Sequence, residues 1–94
     1  MSTLTNVFAV HTETTGTMYA GATNLAGYQC LSGGTAGDVI FRDGGASGTI
    51  LLQFNIPANT NNPFANLIPG NGIRFNTNVH VTLPTAAKVT IFCG

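Results

Sequence analysis

The acid, base and thiol chemistry open to this chain rests on seven side chains: His11, Glu13, Cys30, Asp38, Asp43, His80 and Cys93. Glu13 follows His11 by two residues, a spacing that puts both on one side of an extended strand. One histidine and one carboxylate fall short of a zinc site, which needs three or four ligands. His80 is expected on the polar face of its strand, and both histidines read as structural or solvent-facing. Cys30 and Cys93 lack the Cys-X-X-Cys spacing of a redox pair, and neither has a histidine placed to make it a nucleophile. Cys93 falls on the apolar side of its strand, where a free thiol serves as a small filler. The two are expected to be reduced, with a disulfide under oxidising conditions as the alternative. Asp38 and Asp43 flank one short strand without the several oxygen ligands of a calcium loop. Gly33-Gly34 and Gly44-Gly45 open no helix, so turns account for them and phosphate binding does not. The expected catalytic, metal and cofactor residues are therefore none, and the chain is expected not to be an enzyme.

The elements that would position these groups read as strands. Residues 38–43 alternate, with Val39 and Phe41 on one face and Ile40 and Arg42 on the other. Asp43-Gly44-Gly45 supplies the positive φ angles of a tight reversal. In the next strand, residues 49–56, Ile50, Leu52, Phe54 and Ile56 share a face and Gln53 and Asn55 take the other. A second hairpin is expected at the C-terminus, from Val79, Val81 and Leu83 through a turn at residues 84–87 to Val89, Ile91 and Cys93. Further strands are expected at residues 7–12, 28–31 and 73–76, with a polar turn through Thr14, Thr15 and Gly16. Residues 20–26 offer a poor turn of helix, and residues 58–66 are loop by composition. Within that loop Phe64 either plugs one end of the core or touches a partner. Arg42, between apolar neighbours, is expected to pair with Asp43 or a cross-strand acid. Leu52, Phe54, Val81 and Ile91 are the expected core. Seven or eight short strands joined by turns imply an all-β fold, a small antiparallel β-sandwich of β-tulip or jelly-roll type, in a single domain over residues 1–94.

Charge narrows the function classes. Three acids and three bases make up 6% of the 94 residues and leave a formal net charge of zero, against roughly 25% charged residues in an ordinary soluble domain. Fourteen threonines and ten asparagines do the hydrating. Three dispersed cations cannot track a nucleic-acid backbone, so no nucleic-acid partner is expected. No apolar run reaches the roughly 18 residues of a membrane span, and residues 1–6 lack the basic and apolar regions of a signal peptide. No membrane partner is expected, and synthesis is expected in a cytoplasm. Near-zero net charge favours association.

A family resemblance sits in the second half of the chain. The run Leu51-Leu52-Gln53-Phe54-Asn55-Ile56-Pro57-Ala58-Asn59, then Pro69-Gly70-Asn71-Gly72-Ile73-Arg74-Phe75-Asn76, then Val79-His80-Val81-Thr82-Leu83 and Val89-Thr90-Ile91-Phe92, resembles small virion proteins of tailed phages of cyanobacteria and marine bacteria. The resemblance implies a virion subunit, a capsid decoration (cement) protein bound to the major capsid protein, with a neck, tail or fibre component that acts in host attachment as the alternative. It implies self-association, with a trimer favoured, and brings no catalytic residues. The candidate partner contacts are Asn59, Asn61, Asn62 and Phe64, which offer amides and an aromatic ring with few charges to desolvate.

Overall fold

The computed structural model describes residues 7–58, 63–70 and 72–94, and among them it contains nine strands and no helix. They are β1 (Phe8–Thr12), β2 (Gly16–Tyr19), β3 (Thr23–Leu31), β4 (Gly37–Asp43), β5 (Thr49–Ile56), β6 (Phe64–Leu67), β7 (Ile73–Phe75), β8 (Val79–Thr82) and β9 (Lys88–Cys93). Every pairing is antiparallel. The first sheet runs β1-β9-β3-β6, with β7 also paired to β3, and the second runs β2-β8-β4-β5. β6 and β7 share one row beside the nine-residue β3, so the nine strands fill eight positions. Successive strands cross from one sheet to the other, except within the β4–β5 hairpin and the β6–β7 row. This strand order is that of a jelly roll, the two-sheet winding that buries one face of each sheet against the other.

The core is made by alternation. Val39 and Phe41 of β4, Val79 and Val81 of β8, and Val89, Ile91 and Cys93 of β9 are buried inward, while Lys88 and Asp38 point out. Three aromatic rings tie the layers together. Tyr28 of the first sheet stacks on Phe54 of the second at 4.5 Å between centroids, and Phe41 lies 6.4 Å from Tyr28 and 6.3 Å from Phe54. At the opposite side of the sandwich, Phe8 of β1 meets Tyr19 of β2 at 5.3 Å. Cys30 and Cys93 are free buried thiols on the inner face of the first sheet. Cys30 is paired with Val89, four residues before Cys93 on the same strand. That separation, about 13 Å along a strand, is beyond the reach of a disulfide.

The β4–β5 hairpin forms as expected, with Gly44 and Gly45 at φ 107° and 95°. The C-terminal hairpin does not. β8 lies between β2 and β4, and β9 lies between β1 and β3, so residues 83–87 carry the chain across the sandwich. β8 is buried on both faces, which a hairpin partner alone would not achieve. The expected helical turn at residues 20–26 is instead the start of β3, the loop reading of residues 58–66 is overtaken at Phe64 by β6, and the turn at Gly16 already belongs to β2. In β5 a bulge corrects the expected face. Phe41 pairs with Leu52 but Arg42 with Ile50, so Leu51 is the extra residue and Ile50 turns outward, 45% exposed. Among the four expected core residues, Val81 and Ile91 are fully buried, and Leu52 and Phe54 are half-buried against the cluster.

Phe41 is therefore the better probe of the core. Phe41→Ala is expected to lower unfolding stability by about 3–5 kcal/mol, a large part of what a domain this small possesses. Phe54→Ala should cost clearly less. Urea denaturation of both variants measures the difference, and equal losses would overturn this assignment of burial.

Candidate functional site

The outer face of the first sheet gathers most of the chain's exposed chemistry. Its register places two rows side by side. One runs Ala9 (β1), Phe92 (β9), Gly27 (β3) and Leu67 (β6), and the next runs His11, Thr90, Gln29 and Ala65. The first row is apolar throughout. Leu67 is 83% exposed. A Cβ at Gly27 would meet Leu67 Cδ2 at 3.0 Å and Phe92 Cδ2 at 3.5 Å, so these two side chains close over the glycine and make the row continuous. A shallow groove of about 330 Å³ follows it, lined by Tyr28, Gln29, Ala65, Asn66, Leu67 and Phe92. A second groove of about 360 Å³ shares Gln29 and extends to His11, Lys88 and Thr90. Asn66 donates to the Tyr28 hydroxyl at 2.9 Å, which satisfies the phenol at the edge of the core.

The second row holds the nearest approach to catalytic geometry. His11 Nδ1 lies 2.8 Å from Thr90 Oγ1 and Nε2 lies 3.1 Å from Glu13 Oε2, an order of hydroxyl, imidazole and carboxylate. Glu13 is held below the ordinary carboxylate range by the hydrogen bond from His11 and then by the charge of Lys88. The two ionisable side chains are half exposed or more. Exposed to water, such a pair contributes little to stability. Among the described residues no group of three metal-ligating side chains occurs, and no helix is long and apolar enough to cross a membrane.

Asp43 serves the fold. Asp43 accepts backbone N–H groups from Thr77 at 2.8 Å, Asn76 at 3.0 Å and Asn78 at 3.3 Å, in place of the expected pairing with Arg42. Asn78 Oδ1 accepts in return from the N–H groups of Gly44 and Gly45, at 3.1 and 3.0 Å. Arg42 Nε is left buried without a partner among the described residues, as is Nδ1 of His80, its cross-strand neighbour. His80 does lie on the face opposite Val79 and Val81, yet it is only 7% exposed. Burial pushes the Cys30 and Cys93 thiols up, and a hydrogen bond with Thr23 partly offsets this at Cys93. Both are poor nucleophiles in this state.

Of the expected partner contacts, Asn59, Asn61 and Asn62 lie outside the described residues. Phe64 is placed by its backbone alone, in β6 opposite Cys30. Sequence reasoning missed the Ala9–Phe92–Gly27–Leu67 row because its members come from four strands separated along the chain. The fold and this face together define a jelly-roll domain with an apolar stripe across one outer surface. Comparison with known protein families, curated proteins and solved structures finds no match to the chain.

Asp43 gives the domain an acid limit. The N–H groups of Asn76 and Thr77, aided by Asn78 and Arg74, hold its carboxyl below the usual value. With the folded pKa below the unfolded one, its contribution is complete above the unfolded value of about 3.9 and is lost as pH falls through the folded value. Asp43→Asn is expected to lower the thermal midpoint at pH 7 and to flatten the loss of stability on acidification below about pH 4. Thermal melts from neutral to acid pH test this, and an acid limb unchanged in the variant would assign it to Glu13 instead.

Proposed function

We propose that the chain is a non-enzymatic structural protein of a phage particle, a capsid decoration protein that binds the major capsid protein and stabilises the shell. The observation that carries this reading is the uncharged apolar row Ala9, Phe92, Gly27 and Leu67, with Leu67 almost wholly in solvent. An exposed leucine is ordinary by itself. A row that crosses four strands supports a contact surface, because large contiguous apolar patches on a monomer often mark interaction sites. The mechanism is mass action: each copy bound to an assembled shell lowers the free energy of that state alone. The resemblance of the second half of the chain to small virion proteins supports the setting, and the same resemblance leaves a neck, tail or fibre position as the alternative.

The sparse charge predicts how such a partner is held. Raising salt from about 0.1 M to about 1 M shortens the Debye length from about 10 Å to about 3 Å, and is expected to leave the protein on its particles. Urea, which weakens apolar burial, should release it. Leu67→Lys should reduce binding while leaving the thermal midpoint close to that of the parent, since most of the side chain lies in solvent. Sedimentation of particles across both series, with quantitation of bound copies, reads all three. Release by salt alone would overturn the apolar interface. A copy number far below that of the capsid subunits would move the protein to the neck or tail.

A further inference from the structure

We propose that two copies of this chain associate through the free edge of β5, antiparallel and about a two-fold axis, to join their second sheets into one eight-stranded sheet. The inference concerns self-association and does not rest on the capsid reading.

A sheet edge presents unpaired N–H and C=O groups, and the chemistry that completes them is another strand. Four edge positions occur in this sandwich. β1 ends one side of the first sheet and carries the His11–Glu13 pair at its end. β2 has four residues and a register shift between Thr17 and Tyr19. β6 has four residues, directly preceded by Pro63, and β7 has three. Each of these is short, bulged or flanked by charge or proline, the ordinary devices that discourage pairing.

β5 shares two of these devices, a bulge at Leu51 and Pro57 directly after its last residue, and differs from the others in length. It has eight residues, Thr49–Ile56, with no charge and no proline. Among the described residues it pairs with β4 alone. Its bulge at Leu51 interrupts only the beginning, so Leu52, Gln53, Phe54, Asn55 and Ile56 form a regular run about 16 Å long. Five residues is an ordinary length for a paired strand.

The polar side chains of this run are drawn away from the edge. Asp38, on β4, accepts from Gln53 Nε2 at 3.0 Å and from Asn55 Nδ2 at 2.9 Å. One carboxylate thereby holds both amides back over the sheet and leaves the backbone edge open.

A second copy fits this edge on charge. The chain has no net charge, so nothing at long range opposes the approach of two copies. In the joined sheet the two Asp38 carboxylates stand three strand spacings apart, about 14 Å, beyond the roughly 8 Å Debye length at physiological ionic strength. Antiparallel self-pairing is isologous, with the same strand on both sides, so it closes at two copies and leaves no new edge beside β5.

Analytical ultracentrifugation over a concentration series tests the stoichiometry, and hydrogen exchange at low and high protein concentration tests the surface. The expected results are a monomer–dimer equilibrium and concentration-dependent protection confined to the amides of residues 52–56. Gln53→Lys with Asn55→Lys should raise the dimer dissociation constant by about tenfold or more, because it sets like charges along the shared edge. Leu67→Lys, on the other sheet, should leave that constant unchanged. A monomer throughout the series, a trimer, or protection gained at residues 65–67 and 92 in place of β5 would overturn the proposal. If the double variant fails to fold, the exchange pattern of the parent protein decides the matter alone.

Discussion

The reciprocal bond between Asp43 and the residues 76–78 is the constraint on which the winding depends. After β7 the chain must leave the first sheet and enter the second within the three residues Asn76, Thr77 and Asn78. So short a crossing exposes successive backbone N–H groups that no strand can pair. The Asp43 carboxylate takes all three, and Asn78 answers by capping Gly44 and Gly45 in the β4–β5 turn. Two turns that would each be underbonded satisfy one another. Charge makes the arrangement strong, since an ionised acceptor on backbone donors is about twice as effective as a neutral one. The position of β8 between β2 and β4 follows from where this crossing delivers the chain.

Once β8 is seated, the core can close around it. Its inward valines, Val79 and Val81, meet Phe41 and the β9 residues Val89 and Ile91 in one buried cluster. The outward side of β8 is covered as well, and that second burial leaves His80 Nδ1 and Arg42 Nε without partners among the described residues. Such groups cost free energy, so the stability of the domain has to come from elsewhere. Three aromatic rings that bridge the layers and a core of Val, Ile, Leu and Phe supply it. The chain has six charged residues to place, and in its outer layers hydroxyls and amides replace ion pairs, as Thr15 does by accepting from the Leu83 N–H at 3.0 Å.

Much of this was legible in the sequence wherever alternation is unbroken. β4, β5 and β9 can be read directly, because Val39 and Phe41, then Phe54 and Ile56, then Val89, Ile91 and Cys93 keep a period of two. β3 hides for a definite reason. Its register shifts between Leu25 and Gly27, so Leu25 and Tyr28, three residues apart, both face the core and the period is lost. The bulge at Leu51 hides the outward turn of Ile50 in the same way. β2 and β6 are too short to show a pattern. The pairing of β8 and β9 was misread because adjacent alternating segments joined by a turn look alike whether they form a hairpin or cross a sandwich. Among the features of the outer face, the His11–Glu13 neighbourhood was visible from spacing. The apolar row and the third member at Thr90 were not, since strand order brings them together.

The surface that results is divided in a way that bears on assembly. The outer face of the first sheet is crossed by an uncharged row and the outer face of the second by amides gathered on Asp38. The few charges on these faces are of both signs and sum to zero over the chain, so the long-range field of the domain is weak. Selectivity then has to reside in shape and backbone complementarity, the two things a rigid sheet offers best. A jelly roll by itself says nothing of function, because the same winding serves unrelated tasks. The combination found here is more specific. Of its six charges, Asp43 is bound to an internal turn and Arg42 lies half-buried, while Glu13, Asp38, Arg74 and Lys88 stand singly at the surface and balance one another.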